Sequence, residues 1–228
     1  MVRGILLLLI VLAILLGPQL WTKRVFAKYR GHREDYPGTG GDLARHLLDR
    51  FNLPHVKVET TEVGDHYDPM AKVVRLTPDN FGGKSLTAAT VAAHEVGHAL
   101  QDQAGYKPLQ ERTRLIRVAQ GAEKMGSVVM IGIPIVAALT RSPAVGLLVF
   151  LAGLATMSIG ALVHLITLPV EWDASFRRAL PVLEQGHYIT RDDLQGARRI
   201  LTAAALTYVA ASLGGLLNIW RWITLLRR

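Results

Sequence analysis

Four stretches of this chain carry no Asp, Glu, Lys or Arg: Gly4–Trp21, Met125–Thr140, Ser142–Val170 and Ile200–Trp220. A helix that crosses a bilayer needs about 20 mostly apolar residues. A helix packed in a soluble core normally keeps a polar face. The four runs therefore predict a mainly α membrane protein with about four transmembrane helices, and four buried helices in a soluble protein as the lesser alternative. The second run is short and contains Pro134. The first lacks a small-x-small cleavage site after Leu16, and Trp21 with Lys23 and Arg24 reads as an interfacial anchor, so it is expected to be retained as a span.

The formal net charge is +8. Much of it flanks the apolar runs, as Lys23, Arg24, Lys28 and Arg30 after the first and Arg177 and Arg178 after the third. A nucleic-acid binder would gather such charge on one soluble face among stacking aromatics. The distribution here suits anionic membrane lipid instead and argues against a nucleic-acid partner. The chain has no cysteine, which excludes disulfides and thiolate metal sites.

Between the first two runs the pattern predicts a small α+β, zincin-like element. Asp42–Phe51 places Leu43, Leu47, Leu48 and Phe51 on one helical face. Val56–Thr60 and Lys72–Leu76 read as strands, joined by turn formers Gly64, Asp65, Asp68 and Pro69. Ser85 opens a long helix, Leu86 to about Gln103, closed by Gly105. A polar, Arg-rich helix follows, from about Leu109 to Lys124. Beyond the third run, Glu171–Leu183 continues as helix, Gly186-His187 breaks it, and Thr190–Asp193 resembles a capping box. The expected organisation is a first transmembrane helix over 1–22 and a catalytic region over 23–124. Transmembrane helices two and three follow over 125–170, then a helical segment over 171–199 and a fourth transmembrane helix over 200–228.

The long helix carries His94-Glu95-Val96-Gly97-His98. Four residues of α-helix turn about 400°, so both imidazoles leave one face about 6 Å apart along the axis. That spacing lets both reach one zinc ion, while Glu95 points roughly 100° away and is placed to act as general base toward a water. The competing reading, two core histidines beside an incidental Glu, would leave a buried carboxylate uncompensated at considerable cost. The charge-free stretch before His94 is too short for a span, so the site is expected in water close to the membrane surface.

A hydrolytic zinc site usually has three protein ligands and one open position. The candidates for the third are Glu171, Asp173, Glu184, His164 and His187. Glu171 stands where the third run ends, on a helix able to pack beside the motif helix. His164 lies two turns deeper on the same face, either as a functional intramembrane group or as a satisfied interhelical partner. His66 and Tyr67 precede the motif helix and are candidates for stabilising an oxyanion, beside the plainer reading of a turn cornered by Asp68-Pro69.

Four segments in order, Asp65–Pro69, Ala92–Gln101, Leu168–Ser175 and Ala203–Ala211, resemble the YugP-type membrane zinc metallopeptidases over nearly the whole chain. More distantly, Glu171-x-x-Ala174 is similar to the Glu-x-x-Ala-Asp segment of HtpX-like membrane proteases, gluzincins whose first Glu in that segment is a zinc ligand. The resemblance implies that Glu171 takes this role, and it implies a bacterial cytoplasmic membrane. Where that wider pattern has an Asp orienting a ligand His, this chain has Ser175. Ser175 and the nearby Asp173 are therefore the candidates for supporting the ligands.

The reading is a zinc-dependent endopeptidase that hydrolyses unfolded or membrane-tethered polypeptide near the membrane surface, with zinc on His94, His98 and Glu171 and with Glu95 as base. The basic residues after the first run put the catalytic face in the cytoplasm, although Arg221, Arg227 and Arg228 pull the other way. Two rivals are a membrane adaptor or chaperone with a structural metal and no turnover, and a zinc enzyme acting on a non-peptide bond. Substrate identity and oligomeric state leave no trace in the sequence.

Overall fold

A computed structural model describes residues 2–119 and 166–207, together with residues 121, 144, 148, 151 and 163. The chain begins with α1 (Val2–Lys28) and α2 (Gly40–Arg50). Three short strands follow, β1 (Lys57–Thr60), β2 (His66–Asp68) and β3 (Val73–Leu76). Then come a single-turn helix α3 (Pro78–Phe81), the motif helix α4 (Leu86–Gln103) and α5 over 107–119. Helix α6 over 166–172 runs into a π-helix, Asp173–Ala179, and on into α7 (Leu180–Gln185). Helix α8 covers 193–207.

Helix α2 starts where the sequence has its stop-and-start signal. Thr39 accepts from the Asp42 N–H at 3.2 Å and the Asp42 carboxylate accepts from the Thr39 N–H at 2.9 Å, a reciprocal capping box. The strands form one sheet in the order β1-β3-β2, with β1 parallel and β2 antiparallel to β3. The central strand buries Val73, Val74 and Leu76, while Arg75 pairs across to Asp68 on β2 at 3.1 Å and Glu59 on β1 at 3.5 Å. The third strand is a difference from expectation, since His66–Asp68 was read as part of a turn.

Helix α4 is the centre of the molecule. Every residue from Leu86 to Ala99 is buried, as expected of a helix packed on all sides. Ser85 caps it, accepting from the Ala88 N–H at 3.1 Å. The end of α1 docks on this start: Thr87 donates through Oγ1 to the Phe26 carbonyl at 3.0 Å and through its N–H to the Tyr29 carbonyl at 3.2 Å. Carbonyls at a helix end need such partners because the helix itself supplies none. Gly97 lets the π-helix approach, since a Cβ there would lie 2.8 Å from the Ala174 carbonyl oxygen.

The expectation of four membrane-crossing helices is corrected here. Among the described residues, no helix is long and apolar enough to cross a membrane. The first apolar run lies within α1, but α1 continues without a break through Lys23, Arg24 and Lys28. Its second half serves the core: Val25 is buried and Thr22 donates to the Ala203 carbonyl of α8 at 2.9 Å. The run 125–140 lies outside the described residues, as do most of 142–170 and of 200–220. The described start of the last run, 200–207, buries Ile200, Leu201, Ala203 and Ala205 within the protein.

Candidate metal centre

Helix α4 and helix α6 bring three ligand-type side chains together. His94, His98 and Glu171 each offer one ligand atom, and these atoms all lie within 4.8 Å of one another. Glu171 Oε2 is 3.1 Å from His94 Nε2 and 3.4 Å from His98 Nε2. Donors held at about 2.0–2.1 Å around one tetrahedral ion stand about 3.3 Å apart, so the set has the spacing of a shared zinc. The two rings meet nearly at right angles, 79° between planes with centroids 4.7 Å apart. The other carboxylate oxygen, Oε1, is buried without a hydrogen-bond partner, and Arg112 Nη1 forms an ion pair with it at 3.3 Å. A buried carboxylate oxygen left in that state, with two imidazole nitrogens beside its partner oxygen, fits a cation.

Two carboxyls of the site are driven in opposite directions. Burial pushes Glu95 up to about 7, with Glu171 and Asp65 adding to the shift and His94 and Arg112 opposing it. Burial alone would raise Glu171 too, but the charge and hydrogen bonds of His98 and His94 outweigh it and hold that carboxyl well below its ordinary range. Glu95 faces a cleft of 220 Å³ shared with His94, Glu171, Asp65 and residues of α1 and α8. His98 opens on the other side into a cleft of 390 Å³ with Tyr67, Met70 and Arg112. The ligand group thus lies in the wall between two clefts and is itself buried, not on an open aqueous surface. A cavity of 360 Å³ beside the start of α2, lined by Thr39, Ser85 and Tyr188, holds none of these residues.

The two histidines are held from behind. Ser175 Oγ is 3.1 Å from His94 Nδ1, so the position where an Asp was expected from the wider pattern does meet a histidine. Gln101 Oε1 is 2.9 Å from His98 Nδ1, and Asp173 reaches the site only through Gln101, whose Nε2 donates to it at 2.9 Å. His66 and Tyr67 are occupied elsewhere. His66 Nδ1 lies 2.7 Å from the Gly64 carbonyl and the Tyr67 hydroxyl donates to Asp102 at 2.6 Å, although Tyr67 shares the His98 cleft. Glu184 and His187 line a separate cavity with Tyr36 and Arg191. His164 lies outside the described residues.

Two residues here went unread in the sequence. Gln101 was detectable in principle, being three residues after His98 and so on its face of the helix. Arg112 had no local signal, because only the tertiary fold carries the Arg-rich α5 over Glu171.

The geometry can be set beside known proteins. A family described as "Putative neutral zinc metallopeptidase" matches residues 4–227. The chain is similar to "Putative membrane protease YugP" of Bacillus subtilis (strain 168), 36% identical over 214 residues that cover 91% of each chain. No solved structure matches.

Proposed function

The chain belongs to the zinc metallopeptidase family that it matches over nearly all its length, and from that premise we propose that it hydrolyses peptide bonds at His94, His98 and Glu171, with Glu95 as general base. The observation that carries this reading is the convergence of the three donors at 3.1 and 3.4 Å with the Glu95 carboxyl beside them in one cleft. A structural zinc site closes all four positions with protein ligands, whereas three donors leave one for chemistry. Zinc held by these three side chains would polarise the scissile carbonyl and lower the pKa of water toward about 7.

The chain's own groups do the rest. Glu95 takes a proton from the water oxygen as that oxygen attacks the carbonyl carbon. It then gives the proton to the leaving amine nitrogen as the C–N bond breaks. A carboxyl pushed up to about 7 suits both transfers, because it is ionised often enough to accept and acidic enough to donate. Arg112 lines the His98 cleft and pairs with Glu171 Oε1 at 3.3 Å, which holds that carboxylate toward the two histidines. Ser175 and Gln101 keep the two imidazoles in place.

The substrate is an extended, unfolded or membrane-tethered polypeptide, because the ligands are buried between two modest clefts that a folded domain does not enter. The word membrane in the relative's name extends to this chain as a workplace at the bacterial cytoplasmic membrane. Lys23, Arg24, Lys28 and Arg30 support contact with anionic lipid. The test is zinc content measured together with cleavage of a chemically unfolded protein. The expected result is about one zinc per chain, with cleavage lost on chelation and regained on adding zinc. Cleavage that persists in metal-free protein would contradict the reading, and bound zinc without any cleavage would favour a structural metal.

A further inference from the structure

Gln101 lies one turn beyond His98 on α4 and is fully buried. Its amide makes three hydrogen bonds. Nε2 donates to the Val170 carbonyl at 2.8 Å and to Asp173 Oδ2 at 2.9 Å, while Oε1 faces His98 Nδ1 at 2.9 Å. The two ends of the amide are not interchangeable here. A main-chain carbonyl has no proton to give, and Asp173 Oδ2 is already receiving the Arg178 Nε–H at 2.8 Å. The NH2 end must point at these two acceptors, and that turns the amide oxygen toward the imidazole. An amide oxygen only accepts, so it keeps a proton on Nδ1 of His98 and leaves Nε2 as the nitrogen that carries the lone pair once the ring is neutral. Nε2 is the atom that faces Glu171, at 3.4 Å, the carboxylate to which it donates while the ring is charged.

We propose that Gln101 is a positioning residue that locks His98 in the Nδ1–H tautomer, through its anchorage to Val170 and Asp173, so that the Nε2 lone pair is presented to the metal before the metal arrives. The inference rests on the reading of His98 as a ligand. His94 differs, because its Nδ1 partner is the Ser175 hydroxyl, which both donates and accepts and so imposes no tautomer. The lock therefore acts on one of the two histidines. It also links the metal site to the register between α4 and α6, since Gln101 is the side chain that joins His98 to the Val170 carbonyl.

The experiment is a long-range 1H–15N spectrum of the protein with 15N-labelled histidine, metal-free and at alkaline pH, where imidazoles are neutral. The His98 signal is the one lost in His98→Ala. The expected pattern is Nδ1–H for His98 in the wild type. Gln101→Leu should give mixed tautomers and a 10–100-fold loss of zinc affinity in chelator competition. Gln101→Glu keeps an oxygen that can accept from Nδ1–H, but its other oxygen, without a proton at alkaline pH, faces the Val170 carbonyl and Asp173, so it should lose the anchorage and bind zinc more weakly than wild type. An Nε2–H pattern in the wild type would overturn the proposal. So would a folded Gln101→Leu with unchanged tautomer and unchanged affinity. If Gln101→Leu does not fold, the wild-type spectrum decides. Equal zinc binding by wild type and His98→Ala would overturn the ligand reading instead, a failure that the metal-free spectrum keeps separate.

Discussion

A buried carboxyl takes its charge state from its neighbours, and Glu95 and Glu171 show how far two such groups in one site can diverge. Glu95, pushed up to about 7 by burial, acts as a base only when ionised. Its function is present above that value and is lost as pH falls through it. A cation held beside it favours the carboxylate, so the acid limb of kcat/KM is expected at or somewhat below pH 7, falling about tenfold per pH unit. A profile flat from roughly pH 5 to 8 would rule out the role given to Glu95. Arg112→Gln is expected to weaken zinc binding by about 10–100-fold, the scale of groups that orient a metal ligand. Unchanged zinc affinity would show that Arg112 does not support Glu171. The ligand assignment has its own test: Glu171→Ala should lose zinc, while Asp173→Ala should bind it more weakly but measurably. The reverse order would exchange their roles. The shared face of His94 and His98 was legible in the sequence because helical spacing alone sets it. The anchorage of Gln101 at Val170 and the pairing of Arg112 with Glu171 were not, because those partners lie 69 and 59 positions away.

At the scale of elements, the site depends on how closely α4 and the π-helix approach. Gly97 permits that approach, and a methyl group there would lie 2.8 Å from the Ala174 carbonyl oxygen. Gly97→Ala is therefore expected to push the elements apart and to weaken zinc binding, with a loss of stability of about 1–3 kcal/mol, the scale of overpacking. Zinc affinity and melting temperature both at wild-type values would show that the packing tolerates the methyl. The limits of α4 were readable from Ser85 and Gly105, and strands expected over 56–60 and 72–76 appear at 57–60 and 73–76. Strand β2 was missed because three residues at a sheet edge, among turn formers, carry no periodicity of their own. Its pairing with β3 makes it a strand. The π-helix was missed for a similar reason: Asp173–Ala179 has nothing in its composition to distinguish it from the α-helix expected there.

For the molecule as a whole, the apolar runs were the most conspicuous feature of the sequence, yet among the described residues no helix is long and apolar enough to cross a membrane. An uncharged stretch shows that a segment avoids water, not whether it meets lipid or protein. The described start of the last run meets protein, where Ile200 and Leu201 belong to the same core as Leu47 and Leu183, whereas Leu16, Leu20 and Trp21 of the first run are exposed. One ion pair joins distant parts of that fold. Arg33, in the segment after α1, bonds both oxygens of Asp193 at the start of α8, each at 3.1 Å. Burial would raise the Asp193 carboxyl, but hydrogen bonds from Arg33 and Thr190, the charge of Arg33 and a bond from Tyr36 together hold it below its ordinary value. The stability it contributes is present above the ordinary Asp value, about 3.9, and is lost as pH falls below it. Asp193→Asn should destabilise the protein by roughly 1 kcal/mol at neutral pH, a modest figure because Arg33 is partly solvated. The gap from wild type should narrow as pH falls below about 3.9. A gap independent of pH would show that the carboxylate charge is not what matters.

The most direct measurement of the central claim is made on Glu95→Gln. The variant keeps the shape of the side chain and the three ligand residues but removes the group that accepts the proton. Zinc per chain and the rate of cleavage of an unfolded polypeptide are measured on the same purified sample as wild type. The account predicts about one zinc per chain in both proteins and a loss of kcat of at least about 100-fold in the variant. Cleavage by zinc-loaded Glu95→Gln at a rate close to wild type would contradict it.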